Sequence, residues 1–314
     1  MSKSFKNLVT GGLGFLGTNL INKLLNNGET VLCIDNCSTG KIGNIKESWD
    51  NKSFHFIKHD VLDPIDFNVE RIWHLACPAS PVHYQLDPVN TARTIFIGTE
   101  NMLRLAQKCH ARILLASSSE VYGNPTIHPQ NEDYKGNVKI IGKRSCYVEG
   151  KRFAESLCYD YQRMYNLEIK IARIFNTYGP EMSIKDGRVV SNFVTQALKN
   201  EPITIYGDGM QTRSFCFVED LIEALIRTME CEYSCPLNLG NPFEISILDL
   251  AKMIKLKTSS DSKIIFNPLP EDDPLKRCPN IKKAQKLLKW KPNISLEKGL
   301  ELTINHFKKK LNLN

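Results

Sequence analysis

The sequence predicts an α/β protein in which a doubly wound parallel sheet carries helices on both faces, with a smaller, mostly C-terminal α/β region after it. Two observations predict this class. Short apolar runs of strand length alternate with segments of helical periodicity through the first half of the 314 residues, which is the pattern of strand–helix–strand units. Beyond Gly179 the pattern becomes irregular, and prolines are frequent between residues 268 and 279.

The elements of the large sheet follow from apolar patterning. Predicted strands span residues 7–10, 30–34, 54–57, 72–75, 113–116 and 169–174. Phe15, Leu16, Leu20 and Leu24 recur at helical spacing, and Gly28 follows as a helix-end signal, so Phe15–Asn26 is a predicted helix. The other long predicted helices span residues 87–108 and 147–165.

In the rest of the chain we expect helices at residues 191–198, 220–229 and 247–254, and strands at 203–206 and 215–218. The change of pattern predicts a first domain over residues 1–178, completed by segments from about 210–240, and a second region over residues 179–314. No stretch of linker composition separates them, so we expect the two to pack tightly.

Composition and charge exclude several classes of protein. Hydrophobic residues make up 42% and charged residues 24%, which is ordinary for a globular protein. The 41 basic and 34 acidic residues leave a net charge of +7, but the dense basic run at residues 308–310 reads as a solvated helix end, so no nucleic-acid partner is expected. No apolar stretch approaches the ~20 residues that span a bilayer, and a signal-peptide pattern is absent, so no membrane association is expected.

The ten cysteines are scattered, and none forms a Cys-x-x-Cys pair. Several, such as Cys33 and Cys216, lie within apolar runs. We therefore expect reduced core thiols, a cytoplasmic location and no metal site.

A glycine-rich turn carries the strongest local signal. Residues 9–17 read Val-Thr-Gly-Gly-Leu-Gly-Phe-Leu-Gly, which fits the dinucleotide fingerprint with either Gly11 or Gly12 before Gly14 and Gly17. One glycine makes a tight turn, one lets the backbone approach a pyrophosphate and one lets helix pack on strand. Because the motif follows a strand and opens a helix, whose N-terminus attracts phosphate, we predict a Rossmann-type domain that binds a dinucleotide.

Asp35 indicates which dinucleotide binds. It lies 18 residues after Gly17, at the end of the second strand, where a carboxylate accepts from the ribose hydroxyls of NAD and repels the 2′-phosphate of NADP. Its neighbours Asn36 and Cys37 offer no arginine for that phosphate. We therefore predict NAD as the cofactor, and on a weaker signal we expect Asp60 and Val61 at its adenine.

Tyr147 and Lys151 form a second constellation. At i and i+4 of a helix they share one face, and the ammonium would favour ionisation of a phenol whose pKa is otherwise about 10. Tyr147 would then act as a general acid/base on a substrate hydroxyl. Residues 117–120, Ser-Ser-Ser-Glu, follow a strand at the sheet edge where ligands bind, and a hydroxyl there would share the proton.

These motifs resemble those of extended short-chain dehydrogenase/reductases, in the same order and at similar spacing. Within that group the chain resembles the UDP-glucuronate decarboxylase (UDP-xylose synthase) family, in its soluble form, at residues 74–81, 115–123, 173–180, 186–193, 206–213 and 272–277. The resemblance extends from about Lys6 to about Phe307. Three departures are mild: Cys77 where serine is expected, Ser118 where threonine is usual, and Tyr178 where phenylalanine is usual.

The resemblance implies that the substrate is UDP-glucuronate and the product UDP-xylose, with NAD regenerated in the cycle. Tyr147 would take the proton of the sugar 4-hydroxyl, and the resulting 4-keto sugar would lose its carboxylate as CO₂. Ser119 and Glu120 would orient the ring, and the charge of Glu120 would disfavour the nearby sugar carboxylate. Arg277 would pair with that carboxylate or with the diphosphate.

The resemblance also assigns residues to ligands. We expect catalysis to depend on Tyr147, Lys151, Ser119, Glu120 and Arg277. We expect the cofactor to contact Gly11, Gly14, Phe15, Leu16, Gly17, Asp35, Asn36, Thr39, Gly40, Asp60, Val61, Leu75, Thr94, Tyr147 and Lys151. We expect the substrate to contact Glu120, Asn176, Arg188, Tyr206, Gln211, Arg213 and Arg277.

A homodimer is also implied, because family members pair the two long helices with those of a second copy. In this chain those helices carry apolar residues beyond one stripe, among them Ile95, Phe96 and Phe153.

Alternatives stay open at this point. A UDP-glucuronate 4-epimerase would retain the carboxylate, and other sugar-nucleotide epimerases and dehydratases share the first half of the motifs. A dehydratase would need an acid where Ser119 stands. A nucleotide-sensing protein without chemistry is disfavoured, because Tyr147 and Lys151 are both present.

Overall fold

The strands of the computed structural model, which describes residues 4–269 and 276–313, build one large sheet and several small ones. The strands are β1 (Ser4–Thr10), β2 (Val31–Asp35), β3 (Phe54–Lys58), β4 (Asn68–His74), β5 (Arg112–Ser118), β6 (Ile169–Ile174), β7 (Thr177–Tyr178), β8 (Ile203–Tyr206), β9 (Thr212–Ser214), β10 (Cys216–Phe217), β11 (Leu237–Leu239), β12 (Glu244–Ser246), β13 (Ile264–Asn267) and β14 (Lys276–Arg277). Seven of these form a parallel sheet in the order β11-β6-β5-β4-β1-β2-β3, which confirms the predicted fold class.

The helices cover both faces of this sheet. They are α1 (Phe15–Asn26), α2 (Pro81–Tyr84), α3 (Pro88–Cys109), α4 (Ser145–Tyr165), α5 (Val189–Leu198), α6 (Val218–Glu230), α7 (Ile247–Thr258), α8 (Lys282–Leu288) and α9 (Leu296–Lys310). Helices α3 and α4 pack on one face, where Ile95 and Ala154 are buried, and α1 and α6 pack on the other, where Leu20 and Leu225 are buried. Among the described residues, no helix combines the length and the apolar composition that crossing a membrane requires.

The strand order reverses at β1, which lies between β2 and β4. Thr10, the last residue of β1, is in register with Ile34 on one side and with His74 on the other. The carboxyl ends of these three strands therefore meet at one edge of the sheet, and the crevice outside such a reversal is where open α/β sheets bind ligands.

The later part of the chain adds small sheets beside this edge. Strand β9 lies between β12 and β14, and its Arg213 is in register with Arg277 of β14. The chain also returns to the large sheet, because β11 pairs with β6 and α6 packs on the same sheet. The division of the chain at residue 178 stays a prediction.

The strand predicted at residues 215–218 is shorter in the structure than predicted. Cys216 and Phe217 pair with β7, but Val218 already begins α6, whose first turn carries Glu219 and Asp220. Acidic side chains in a first turn favour a helix start through its dipole. The three-residue strand β11 has no counterpart among the predicted elements, because it is too short to show periodicity.

A buried histidine fixes the loop that leaves β4. The Thr10 hydroxyl lies 2.9 Å from Nδ1 of His74, and its oxygen accepts from the N–H groups of Leu75 and Ala76 at 3.2 and 3.1 Å. That oxygen therefore donates its own proton to Nδ1, which leaves the ring neutral with its proton on Nε2. Burial lowers the pKa of His74 to about 3, and the charge of Lys151 adds to the shift.

We expect His74 to make the protein less stable in acid. Its folded pKa of about 3 lies below the ordinary value of 6.5, so the unfolded chain binds the proton first, and stability falls as the pH drops through 6.5 towards 3. Proton linkage at His74 predicts that the free energy of unfolding falls by about 2 kcal/mol between about pH 7 and about pH 5. Urea unfolding at the two pH values measures it. His74→Asn should remove this part of the pH dependence and the exposed control His110→Asn should keep it; equal dependence in all three proteins would contradict the assignment.

Candidate active site

A cavity of about 870 Å³ lies at the carboxyl edge of the large sheet, at the large end of the range for small-molecule sites. Its lining comes from the glycine-rich turn, from the loops after β2, β4 and β5, and from the later small sheets. All the residues predicted to act in catalysis or to bind substrate line it: Ser119, Glu120, Tyr147, Lys151, Asn176, Arg188, Tyr206, Gln211, Arg213 and Arg277.

The glycine-rich turn brings bare backbone to this cavity. Gly11 has a φ of +67°, and a Cβ there would lie 2.8 Å from Cα of Ala76. A Cβ on Gly17 would lie 2.3 Å from the Gly11 carbonyl oxygen, so α1 can approach the turn only with glycine at this position. The N-cap of α1, Gly14, has no side chain to cap the first turn. The free N–H groups of that turn therefore suit a phosphate.

Asp35 lies beside this turn and is buried. Its Oδ2 accepts from the N–H of Leu13 at 3.1 Å and its Oδ1 from the N–H of Cys37 at 2.8 Å. Burial raises the pKa of Asp35, against these two hydrogen bonds. Each oxygen keeps a second lone pair, so the carboxylate can still accept from the hydroxyls of a ribose.

Most residues predicted to contact the cofactor line the cavity, with two exceptions. Of the residues that the structure describes, Gly40 and Asp60 are outside the lining. A Cβ on Gly40 would lie 2.7 Å from Cβ of Leu13, so Gly40 packs behind the turn. Asp60 is engaged with the Asn36 amide at 2.9 Å and the Leu62 N–H at 2.9 Å. Asp60 therefore holds Asn36, and its contact with adenine stays a prediction.

Tyr147 is buried at the start of α4, and its ring stacks on Tyr84 at 4.9 Å and 9°. Burial raises the pKa of Tyr147 and Cys77 adds to the rise, whereas a hydrogen bond with Ser118 and the charge of Arg188 act against it. Contrary to expectation, Lys151 is not among the main influences on the pKa of Tyr147 in the protein by itself. The Lys151 ammonium donates to the Ala116 carbonyl at 2.7 Å and lies 5.9 Å from the Tyr147 ring centre. Tyr147 is therefore a neutral phenol.

Glu120 lies opposite, in a short 3₁₀ turn, Ser119–Tyr122, that follows β5. Its Oε1 accepts from Nη1 of Arg277 at 2.5 Å and from Nη2 of Arg144 at 2.8 Å. Burial alone would raise the pKa of Glu120, but the charges of Arg277 and Arg144 outweigh it and hold the pKa below its usual range. Glu120 is therefore a carboxylate.

These contacts bear on two expectations. Arg277 pairs with Glu120 through Nη1 and is therefore only partly available for a sugar carboxylate or a diphosphate. Its Nη2 is buried and has no hydrogen-bond partner among the described residues. Two guanidinium groups bind Glu120, which weakens the expected repulsion of a second carboxylate; that repulsion stays a prediction.

The residues predicted to hold the substrate have partners of their own. The Arg188 guanidinium binds both carboxylate oxygens of the buried Asp186, at 2.5 and 2.8 Å. The Gln211 amide donates to the Tyr206 carbonyl at 2.5 Å, and Nη1 of Arg213 donates to the Thr212 carbonyl at 2.9 Å. These contacts set side-chain directions, and the Arg188–Asp186 pair brings no net charge.

Three residues of the cavity wall were not among the predicted site residues. Ser118 opposes the rise in the pKa of Tyr147, and its Oγ accepts from the N–H of Glu120 at 3.2 Å; the role of Ser119 stays a prediction. Tyr84 stacks on Tyr147, and Arg144 binds Glu120. Arg144 stands three residues before Tyr147, a spacing that could have drawn attention to it, whereas the sequence holds no sign of the approach of Tyr84.

One group of potential metal ligands lies outside this cavity. Atoms of His128, Glu244 and Cys278 lie within 4.8 Å of one another. His128 and Glu244 are hydrogen-bonded to each other at 2.8 Å, and the Cys278 thiol donates to the Pro242 carbonyl at 3.2 Å. These contacts account for the three side chains without a metal.

Comparisons with known proteins agree with this geometry. Residues 8–303 match the family described as GDP-mannose 4,6 dehydratase. UDP-glucuronic acid decarboxylase 2 of Arabidopsis thaliana is 54% identical over 98% of this chain and 69% of the relative. UDP-glucuronic acid decarboxylase 1 of Danio rerio is 50% identical over 97% of this chain and 73% of the relative.

Two solved structures share the whole fold. The UDP-glucose 4-epimerase of Thermotoga maritima superposes with a TM-score of 0.91 at 29% identity, covering 98% of this chain and 99% of that one. The UDP-glucuronic acid 4-epimerase of Bacillus cereus, in complex with UDP-glucuronic acid and NAD, superposes with a TM-score of 0.88 at 28% identity, covering 97% and 99%.

The close approach at Gly17 gives a direct test of the turn. Gly17→Ala should weaken NAD binding by at least about tenfold, because the turn must shift, and should cost about 1–3 kcal/mol of unfolding free energy through overpacking. Gly43→Ala is the control, since a Cβ there meets nothing within 4 Å. Calorimetric titration with NAD and urea unfolding measure the two effects. Unchanged NAD affinity in Gly17→Ala would contradict the assignment of the turn.

Proposed function

The chain belongs to the GDP-mannose 4,6-dehydratase family and, within it, groups with the UDP-glucuronic acid decarboxylases, and on that premise we propose that it converts UDP-glucuronate to UDP-xylose and CO₂. It is an NAD-dependent carboxy-lyase. The observation that carries this function is the 50–54% identity to those decarboxylases over nearly the whole chain. The cavity adds a chemical reason, because it combines the buried phenol of Tyr147 with arginine side chains that suit an acidic sugar.

The residues present fit NAD. The turn at Gly11 and Gly17 leaves bare backbone beside the first turn of α1, and Asp35 retains free lone pairs. Asp35, Thr39, Val61, Leu75, Thr94 and Lys151 line the same cavity and would hold the adenosine and nicotinamide halves. When bound, NAD supplies a hydride acceptor and donor and a positive charge near Tyr147.

Tyr147 would manage the proton of the sugar 4-hydroxyl. A neutral phenol must first lose its proton, and the Ser118 hydroxyl, which opposes the rise in the pKa of Tyr147, would take that proton while passing its own to solvent in the cavity. The positive charge that arrives with the cofactor favours the phenolate, which then takes the substrate proton. Lys151, held by the Ala116 carbonyl, would orient the nicotinamide ribose rather than bind the phenol.

Loss of CO₂ would depend on the Glu120 cluster. Once carbon 4 is a ketone, the carboxylate is β to a carbonyl; the bond to carbon 6 breaks, CO₂ leaves and the electron pair forms an enolate whose carbon 5 takes a proton. The buried Nη2 of Arg277 would stabilise that negative charge as it develops. Glu120, fixed by two guanidinium groups, and Ser119 would orient the ring.

Residues of the later part of the chain would bind the uridine diphosphate. Asn176, Tyr206, Gln211 and Arg213 line that part of the cavity, and the planar fork of an arginine matches phosphate oxygens. Arg188 is already paired with Asp186, so we propose that it orients the substrate by shape and hydrogen bonding rather than by net charge.

UDP-glucuronate 4-epimerisation is the second candidate. The specific observation in its favour is the TM-score of 0.88 to the UDP-glucuronic acid 4-epimerase of Bacillus cereus, although identity to that protein is only 28%. Such a reaction would use the same proton transfer and retain the carboxylate.

We also propose a cytoplasmic homodimer. Phe96 and Phe153, on α3 and α4, form an edge-to-face pair at 5.1 Å and are 42% and 50% exposed, which suits a partner helix pair. Ile95 is fully buried within the protomer and cannot contribute. The ten cysteines are all unpaired, in keeping with a reducing compartment.

The product distinguishes the two reactions. Incubation with UDP-glucuronate and NAD should yield CO₂ and UDP-xylose, with no net NADH in the steady state. Mass spectrometry of the sugar nucleotide and absorbance of NADH measure this. Recovery of UDP-galacturonate with the carboxylate intact would overturn decarboxylation in favour of the epimerase.

Tyr147→Phe should lower kcat by about 10²–10⁴-fold, the usual contribution of a general acid/base, and leave the affinities for NAD and UDP within a factor of about two. The exposed Tyr159 of the same helix supplies the control, as Tyr159→Phe should retain wild-type kcat. Single-turnover assays and calorimetric titration measure these effects. A kcat within a few-fold of wild type in Tyr147→Phe would remove the residue from its role.

A further inference from the structure

Glu120 shares one oxygen between two cations. Oε1 accepts from Nη2 of Arg144 at 2.8 Å and from Nη1 of Arg277 at 2.5 Å. The three side chains are 15%, 13% and 7% exposed for Arg144, Glu120 and Arg277. Charge-assisted hydrogen bonds between such sheltered groups are about twice as strong as neutral ones.

More than one cation acts on the Glu120 carboxylate. The charges of Arg277, Arg144 and Arg213 all lower the pKa of Glu120. Arg144 and Arg277 also share its Oε1. Arg144 can therefore stay on Oε1 when Arg277 moves away from it.

Arg144 is placed by the same helix start as Tyr147. Its carbonyl accepts from the N–H of Tyr147 at 3.1 Å and of Val148 at 3.0 Å, at the position that caps α4. The phenol and this guanidinium are thus fixed to one turn of backbone. Arg277, by contrast, arrives from a strand 157 residues further along the chain than Glu120.

From these contacts we propose that Arg144 is a positioning residue that holds the Glu120 carboxylate in place when the uronate carboxylate of the substrate draws Arg277 towards itself. This rests on the function proposed above. On binding, Nη1 of Arg277 exchanges Glu120 for a substrate oxygen, and the unpartnered Nη2 gains a second one. Arg144 keeps its bond to Oε1 throughout, so Glu120 is never left as a buried charge without a partner. A neutral hexose could not draw Arg277 away.

Arg144→Gln tests the selectivity. Its affinity for UDP-glucuronate should fall by about 10- to 100-fold, the value of one charged hydrogen bond. Its affinities for UDP-glucose, UDP and NAD should change by no more than about twofold. Calorimetric titration at neutral pH measures all four without turnover. Arg163→Gln, at an exposed site of the same helix, should match wild type throughout.

The pH profile tests the action through Glu120. Among the residues that the structure describes, the charged and titratable groups that face Glu120 are Arg144, Arg277, Arg213, Tyr84 and Tyr147. Removing one cation raises the pKa of the carboxyl, so the acid limb of kcat/KM should move to higher pH in Arg144→Gln. Arg144→Lys keeps the charge and should return the limb to its wild-type position while recovering part of the affinity.

The outcomes separate the proposals. Wild-type selectivity and an unmoved acid limb in Arg144→Gln would overturn the role of Arg144. Equal loss of all four ligands, not recovered in Arg144→Lys and accompanied by a lower Tm, would show a purely structural role and overturn it as well. Failure of wild type to release CO₂ would overturn the decarboxylase, whereas the binding measurements would still decide the role of Arg144.

Discussion

A buried carboxylate holds the site together. Glu120 follows one of the central strands, Arg277 comes from a small sheet far along the chain, and Arg144 precedes the helix that carries Tyr147. Removing both cations would leave a sheltered charge without these partners, which costs several kcal/mol. The later region supplies Arg277, so its docking on the large sheet completes the cluster, and the same docking closes the cavity. Docking of the later region therefore completes both the fold and the site.

A second polar network repeats this link behind the cavity. The Arg173 guanidinium binds Glu155 and the Tyr122 hydroxyl, and that hydroxyl donates to Asn238 in β11, an edge strand of the sheet. Glu155 also accepts from Ser117 at 2.5 Å. Every donor in such a network needs its acceptor, so the position of β5, and with it of Ser118 and Glu120, is tied to α4 and β11.

The environment of Tyr147 controls the protonation of its phenol. Desolvation keeps the phenol protonated, with the stacked ring of Tyr84 on one side and Cys77 near it. A phenolate becomes favourable only when a positive charge enters the cavity. In the proposed mechanism, proton transfer by Tyr147 would therefore depend on occupancy of the cofactor site.

What the sequence by itself determined depended on short motifs. The spacing of Gly11, Gly14 and Gly17, the acid at Asp35 and the Tyr147–Lys151 pair act through backbone geometry within one or two turns, so the residue types alone predicted a Rossmann-type sheet and a dinucleotide site. Apolar alternation predicted the long helices and central strands for the same reason.

Tertiary structure alone decided which distant side chains meet. The pairing of Arg277 with Glu120, the pairing of Arg188 with Asp186 and the stacking of Tyr84 on Tyr147 depend on rotamers and on the docking of separate segments. No local pattern encodes these, because a buried charge takes whichever partner the packed fold brings within hydrogen-bond distance.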